Sequence, residues 1–130
     1  MKVIRSDGFR WHEVAERAYT SDDDSHSGVT RHHLLGGKPD EAALQFETRY
    51  FEVAPGGHTA LERHQHPHAV VVIRGSGSLV GGDACVGIRA FDCVYVAPDD
   101  VHQFKADRGE PLGFLCVVDR QRDRPILVPT

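Results

Sequence analysis

The chain has 130 residues and a formal net charge of −4 at pH 7. This length fits one domain with a core of its own, and the acidic balance argues against nucleic acid or an anionic membrane surface as a partner. The apolar runs are too short to span a membrane, and charges come too early in MKVIRSDGFRWHE for a secretory signal. The three cysteines form no CxxC pair, which favours reduced thiols in a cytoplasmic protein.

Residues 1–27 are polar and include an acidic run at residues 22–24. We predict an N-terminal arm with little regular structure, apart from one turn within residues 11–17, and a solvated loop at the acidic run.

Short apolar or alternating segments recur from residue 28 onward, roughly every eight to twelve residues, between Gly-, Pro- and Asp-rich turns. No segment has a convincing helical period. This pattern predicts an all-β sandwich or barrel over residues 28–130. The predicted strands cover residues 29–35, 44–53, 59–64, 68–73, 78–80, 84–88, 93–97, 102–106 and 112–118.

The stretch LERHQHPHAVVVIRG crowds a glutamate and three histidines ahead of an apolar run. Residues two apart in a strand share a face, so Glu62 and His64 project to the same side. A tight turn at Gln65-His66-Pro67 would let His68 fold back beside them, and His102 could add a fourth ligand from a third strand. Three imidazoles and one carboxylate suit Mn(II), Fe(II), Ni(II) or Zn(II) rather than calcium.

The other reading of these histidines is a decorated surface hairpin. We expect His66, at the turn, to be exposed and outside the metal shell. His32 and His33 alternate along one strand, so at most one of them faces inward.

The same stretch resembles the first motif of the cupin superfamily, counted from Gly56. Glu62, His64, His68 and Gly75 fall at the motif's spacing, although Glu and His exchange places at two ligand positions. The segment AFDCVYVAPDDVHQF resembles the second motif and has His102 in place. Phe91, Ala97 and Asp99 stand there where the motif has Gly, Pro and Gly.

The resemblance implies an antiparallel jelly-roll β-barrel (a double-stranded β-helix) with a metal ion in its mouth. We expect a homodimer, formed through an edge strand that the N-terminal arm donates.

A narrower resemblance links RYFEVAPGGHTALERH and EPLGFLCVVDRQRDRP to small single-domain cupins. That subgroup includes the methylthioxylulose-phosphate methylsulfurylases, which are Mn-dependent and split a carbon–sulfur bond. The resemblance implies Mn²⁺ as cofactor and places Cys116 near the metal as a catalytic thiol. With the metal bound, we expect Cys116 to react with iodoacetamide faster than Cys93 does, and removal of the metal should slow that reaction. The alternative role for Cys116 is that of a small buried hydrophobe.

The sequence therefore predicts a metal-dependent enzyme acting on a small oxygenated metabolite, such as a sugar or keto-sugar phosphate. Isomerisation, elimination or carbon–sulfur cleavage would all fit. Only one of Arg49 and Tyr50 can face the cavity; Arg49 is the candidate for binding a substrate phosphate or carboxylate, unless it is a surface arginine. Two alternatives remain open: an Fe(II)-dependent dioxygenase, and a non-catalytic cupin that binds a metal or a sugar.

Overall fold

The computed structural model of the chain describes residues 1–19 and 25–129, so the acidic run at residues 22–24 lies outside the described residues. Within these residues the chain forms strands and no helix. The described residues therefore contain no helix long and apolar enough to span a membrane. The strands are β1 (Ser6–Asp7), β2 (Arg10–Trp11), β3 (Arg17–Ala18), β4 (Ser27–Leu35), β5 (Phe46–His58), β6 (Glu62–Arg63), β7 (His68–Arg74), β8 (Ser76–Gly81), β9 (Ala84–Arg89), β10 (Cys93–Val96), β11 (Gln103–Ala106), β12 (Leu112–Asp119) and β13 (Ile126–Leu127).

One curled antiparallel sheet dominates the fold and runs in the order β10-β7-β12-β5-β11-β8-β9, with β4 and then β3 added beside β5. The long strand β5 pairs with β12 along residues 46–53 and with β11 at His58. It therefore carries the chain around the corner of the barrel. The predicted antiparallel jelly-roll barrel is confirmed.

Most strand positions follow the alternation of the sequence. Strand β5, however, continues past its predicted end at Val53, through residues 55–57, to His58. The segment predicted at residues 59–64 is a strand only at Glu62–Arg63. The residues before it bond elsewhere, because the Thr59 N–H donates to the Phe104 carbonyl (2.9 Å) and the Ala60 N–H donates to His26 Nδ1 (2.9 Å). These contacts tie the segment to β11 and to the start of β4 instead of to a ladder.

The core is built from the inward-facing residues of these strands, as the period of two requires. Burial of this apolar surface is the main stabilising term of the fold. The fully buried apolar members include Val53, Val70, Val72, Leu112, Phe114, Cys116 and Val118.

The N-terminal arm packs on its own chain. Strands β1 and β2 form a small hairpin, and β3 pairs with β4. Trp11 packs on Tyr50 with ring centroids 4.9 Å apart, and Phe9 stacks on the same ring at 6.3 Å. The arm thus covers one part of the outer sheet surface, and it has more regular structure than the sequence predicted.

Two positions where the second cupin motif has glycine keep the left-handed backbone without it. Phe91 has φ 77° and Asp99 has φ 64°. Aspartate tolerates this region better than most residues, whereas an aromatic residue there is an outlier. At Gly75, where the first motif keeps its glycine, φ is 71° and an added Cβ would collide with the Pro111 carbonyl oxygen.

Candidate metal and active site

Three histidines from separate segments meet at one end of the barrel. His64 follows β6, His68 opens β7, and His102 immediately precedes β11. Their candidate ligand atoms all lie within 4.8 Å of one another. The turn at residues 65–67 brings the first two together. An antiparallel bridge brings in the third, because the backbones of Glu62 and His102 exchange hydrogen bonds of 3.1 and 2.9 Å.

Hydrogen bonds orient two of these rings for metal binding. His64 Nδ1 lies 2.6 Å from the His66 carbonyl oxygen, and His102 Nδ1 lies 2.8 Å from that of Asp100. A carbonyl only accepts, so each Nδ1 carries the hydrogen and each Nε2 keeps its lone pair. The two Nε2 atoms are 3.2 Å apart. Two lone pairs that face each other so closely repel unless a shared proton or a cation lies between them.

Burial keeps the three imidazoles neutral at physiological pH. It lowers the pKa of His64 to about 4 and that of His68 to about 2, and the neighbouring imidazoles add to both shifts. Burial also lowers the pKa of His102. Neutral imidazole is the form that binds metal, so His64, His68 and His102 could hold a divalent ion without first losing protons.

Glu62 lines the same cavity but is not one of the three clustered ligands. Burial raises the pKa of its carboxyl to about 7, and the charge of Arg49 opposes that rise. A partly buried carboxylate needs a nearby cation, and a divalent ion on the histidines would supply one. The structure thus brings together three of the four predicted ligands and places the fourth in the wall beside them.

The histidines open into a cavity of about 380 Å³. Arg49 faces this cavity and is only 5 % exposed, whereas Tyr50 points to the other side of β5, against Trp11. Burial lowers the pKa of Arg49. Its Nε has no hydrogen-bond partner among the described residues. Arg49 is therefore not a surface arginine but a buried cation with one unused hydrogen-bond donor.

Cys116 lies in the cavity wall, directly opposite Arg49 on the neighbouring strand. Its Sγ is 3.8 Å from Arg49 Nη2. It is 1 % exposed, and burial raises the pKa of the thiol while Arg49 lowers it. Cys93 is exposed. In metal-free protein the low access and the raised pKa of the Cys116 thiol both slow its alkylation. The faster reaction with iodoacetamide that we expect beside a bound metal ion stays a prediction.

An aromatic wall closes the other side of the cavity, and sequence reasoning missed it. The ring of Phe114 stacks with those of Phe51 (5.7 Å) and Phe104 (4.4 Å), and Tyr19 meets Phe51 edge-on at 5.3 Å. Phe51 and Phe114 could have been found, because each lies two residues from a predicted site residue on the same strand face.

The segment after β12 supplies the rim of the cavity, which was also missed. Arg120, Arg122, Asp123 and Arg124 all line it. The segment is fixed at its far end, where β13 pairs with β6 and the Val128 N–H donates to the Leu61 carbonyl (3.0 Å). Its polar sequence resembles an ordinary tail, so only the strand pairing reveals its position.

Of the remaining histidines with a prediction, His66 differs from our expectation, whereas His32 is buried and His33 is partly exposed, as the alternation along one strand requires. His66 is 7 % exposed and lines the cavity, so the prediction that it is exposed is wrong; the C-terminal segment covers it. His32 is fully buried against Trp11 and Tyr50, away from the cavity. His33 Nε2 bonds to the Gly36 carbonyl (2.6 Å). Neither His32 nor His33 lines this cavity.

The fold and the three-histidine cluster agree with comparisons to known proteins. Residues 49–118 match the Cupin domain family Cupin_2. The chain therefore belongs to the cupin superfamily, as its motifs predicted.

The chain is also similar to individual proteins. Over 120 residues the chain is 42 % identical to a 1-methylthio-D-xylulose 5-phosphate methylsulfurylase from Rhodospirillum rubrum, covering 92 % of this chain and 74 % of that protein. The crystal structure of a cupin-2 domain protein from Rhodospirillum rubrum superposes with a TM-score of 0.84 at 40 % identity, covering 99 % of this chain and 84 % of that one. A cupin 2 conserved barrel domain protein from Rhodopseudomonas palustris gives a TM-score of 0.84 at 41 % identity, covering 97 % and 84 %.

Proposed function

We propose that this cupin is a metal-dependent enzyme that cleaves a carbon–sulfur bond in a small keto-sugar phosphate carrying a thioether. One observation carries the proposal: the Cys116 thiol and the Arg49 guanidinium lie 3.8 Å apart in the wall of the cavity that holds the three histidines. A relative that is 42 % identical is named for a reaction on such a compound, which supports this choice over other cupin chemistry.

The proposed ligands are His64, His68 and His102, with Glu62 as the fourth. Mn²⁺ is the proposed ion, and Fe²⁺, Ni²⁺ and Zn²⁺ suit the same nitrogen and oxygen donors. A divalent ion bound there supplies Lewis-acid stabilisation to adjacent substrate oxygens that gain negative charge. Glu62 lowers the positive charge of the loaded site, which favours retention of the ion.

Cys116 is the proposed nucleophile. Its thiolate attacks the thioether sulfur, a sulfur–sulfur bond forms, and the carbon–sulfur bond breaks. The electron pair passes to the carbon next to the substrate carbonyl, as an enolate that then takes up a proton. Two external thiol groups, for example those of one dithiothreitol molecule, then reduce the mixed disulfide and are themselves oxidised to a disulfide, which releases the alkanethiol and restores Cys116. Arg49 favours the thiolate, because an opposite charge nearby lowers a thiol pKa.

The lining of the cavity supports an anionic substrate. Among the described lining residues five are arginines and three are acids. Two of the acids are engaged: Glu47 pairs with Arg122 at 3.3 Å, and Asp123 accepts from His66 at 2.9 Å. A cleft with excess positive charge in a protein of net charge −4 attracts an anion by focusing the field. The planar fork of Arg49 suits bidentate binding of a phosphate or carboxylate.

The proposal retains the cytoplasmic location and the homodimer. Free thiols persist in a reducing compartment, and Cys85, Cys93 and Cys116 are all free. The arm pairs its strand β3 with its own β4, so we move the dimer contact to the outer face of β10, β7 and β12. That face exposes Tyr95 (71 %) and is lined by apolar side chains. Contiguous exposed apolar surface marks an interaction site.

The test is turnover of 1-methylthio-D-xylulose 5-phosphate by Mn²⁺-loaded protein with dithiothreitol present, followed by NMR of the products. We expect methanethiol and a deoxy keto-sugar phosphate. Cys116→Ser should lose on the order of 10³-fold or more, as loss of a nucleophile does, whereas the exposed Cys93→Ser should keep its activity. The absence of methanethiol would contradict the proposal. Consumption of O₂ with iron-loaded protein would indicate the dioxygenase, and binding without any conversion would indicate a non-catalytic cupin.

A further inference from the structure

His66 occupies a place in the cavity that the proposed reaction does not use. It belongs to the turn between β6 and β7, yet its ring is buried and lies flat on that of His64, with centroids 3.7 Å apart and planes 6° from parallel. The centroid of His68 is 5.2 Å away. His66 is therefore a neighbour of the three-histidine cluster and is not itself part of it.

Asp123 holds this turn with one carboxylate. Its Oδ1 accepts from the His66 backbone N–H (3.0 Å) and from His66 Nδ1 (2.9 Å), and its Oδ2 accepts from the Gln65 backbone N–H (2.8 Å). Hydrogen bonds to an ionised carboxylate are short and about twice as strong as neutral ones. These donors hold the pKa of Asp123 well below its usual range. Asp123 thus stays ionised and keeps these hydrogen bonds at any physiological pH.

The carboxylate also determines which nitrogen of His66 is left as a hydrogen-bond acceptor. An ionised carboxylate only accepts, so the hydrogen of a neutral His66 ring resides on Nδ1 and Nε2 keeps its lone pair. The described part of the chain offers no hydrogen-bond partner to that Nε2. An unused acceptor in the wall of a cavity can take a hydrogen bond from water or from a donor group of the molecule that the cavity binds.

The segment that carries Asp123 is fixed firmly enough to place a ring. It follows β12 directly, and β13 anchors it to β6 three residues later. Between these points Arg122 Nη1 donates to the carbonyls of Asp119 (3.0 Å) and Arg120 (3.3 Å). Asp123 therefore acts from a braced loop, as a group that orients another side chain must.

We propose that Asp123 is a positioning residue that fixes the His66 ring, and that His66 Nε2 accepts a hydrogen bond from a hydroxyl group of the bound substrate. The ligand class is a hydroxylated metabolite of the sugar type, and this part rests on the proposed function. A keto-sugar phosphate has hydroxyl groups along its chain that can donate to His66 while its phosphate meets arginine.

Two measurements test this proposal on Zn²⁺-loaded protein. Histidine-selective ¹⁵N NMR reports the tautomer, and His66→Gln assigns the signal of His66. We expect a hydrogen on Nδ1 and none on Nε2. Asp123→Asn, which keeps the shape and removes the charge, should weaken that preference. Asp99→Asn is the matched control, because Asp99 contacts the same turn through the Gln65 side chain (2.7 Å) and does not touch His66.

Calorimetric binding of D-xylulose 5-phosphate, with inorganic phosphate as a second probe, tests the contact itself. His66→Leu and Asp123→Asn should each weaken binding of the sugar phosphate about tenfold, the loss of one hydrogen bond, and the double variant should lose little more. Binding of inorganic phosphate and zinc content should stay unchanged, and His66→Gln should recover part of the loss. Equal losses of affinity for sugar phosphate and for inorganic phosphate, together with loss of zinc, would overturn the proposal and indicate a structural role for these residues. A hydrogen on Nε2 of His66 would overturn it too. If wild-type protein bound phosphate but no sugar phosphate, the proposed substrate class would be wrong. The ¹⁵N NMR measurement of the His66 tautomer would still test the role of Asp123.

Discussion

Arg49 and Cys116 stand directly opposite each other on β5 and β12, with Nη2 and Sγ 3.8 Å apart and both side chains buried. Each group is unfavourable as an isolated buried ion, and each shifts in the neutral direction through burial. As a thiolate and a guanidinium they compensate each other. The pair connects the cysteine to the arginine-rich lining of the cavity.

Removing the charge of Arg49 should therefore disable Cys116 without emptying the metal site. We expect Arg49→Met to lower kcat/KM for carbon–sulfur cleavage on the order of 100-fold. It should also move the pH at which Cys116 is half-alkylated upward, because the lost cation no longer favours the thiolate. Arg49→Lys should recover part of both effects. The exposed Arg89→Met is the control, and an unchanged alkylation profile in Arg49→Met would refute the coupling.

Loss of a clustered histidine should release the metal. We expect His68→Ala and His102→Ala to weaken metal binding by more than about 100-fold, beyond the cost of removing an outer partner, and to cancel the rise in Tm that metal gives. His66→Ala and the distant His58→Ala should change metal content little. Metal analysis of purified protein decides this. If His66→Ala stripped the metal while His68→Ala kept it, our choice of ligands would be incorrect.

Glu62 should oppose the histidines in the pH dependence of metal-free protein. The pKa values of His64 and His68 lie below 6.5 in the folded state, so the unfolded chain binds more protons and stability falls as pH drops below 6.5. Glu62, with a folded pKa of about 7, acts in the other direction: its contribution is present below 4.5 and is lost as pH rises to 7. Glu62→Gln should therefore steepen the rise of Tm between pH 4.5 and 6.5. An unchanged slope of Tm against pH would show that the pKa of Glu62 is not raised by folding.

In metal-loaded protein the same substitution should weaken metal retention, because the site would lose the carboxylate that we propose as its fourth ligand. Equal metal affinity in wild-type protein and Glu62→Gln would show that Glu62 does not coordinate the ion.

The outer face of β10, β7 and β12 should carry the dimer. Cys93 and Tyr95 pair there with Val71 and Ala69, and Val117 continues the row. Light scattering after gel filtration should report a dimer for wild-type protein and a monomer for Tyr95→Lys, since an unpaired charge would be buried in the interface. Phe9→Ala, on the part that the arm covers, is the control. A monomeric wild-type protein would remove the dimer from the proposal.

The barrel could be predicted from sequence because its strands alternate and its turns carry Gly, Pro and Asp at regular spacing. The placement of His64, His68 and His102 followed from the same period of two and from the motif spacing. Phe91 and Asp99 show that the turns survive the loss of motif glycines, at the cost of strained backbone. A motif match alone does not reveal that the left-handed backbone persists after glycine is replaced.

The C-terminal rim and the burial of His66 could not be predicted. Both depend on long-range contacts: β13 pairing with β6, and Asp123 bonding to a turn 57 residues earlier in the chain. A polar segment such as DRQRDRP has no periodicity that would predict its contacts with β6 and with the turn at residues 65–67. The orientation of Arg49 was a choice between two faces, and only the burial of Tyr50 beneath the arm decides it.

Peptide mass spectrometry after a single turnover without reductant tests the central claim most directly. Mn²⁺-loaded protein would be mixed with 1-methylthio-D-xylulose 5-phosphate, quenched in acid and digested. We predict a methylthio adduct on Cys116, none on Cys85 or Cys93, and its disappearance when dithiothreitol is added. Formation of the sulfur-free sugar phosphate with Cys116 unmodified, and at an undiminished rate in Cys116→Ser, would contradict the account.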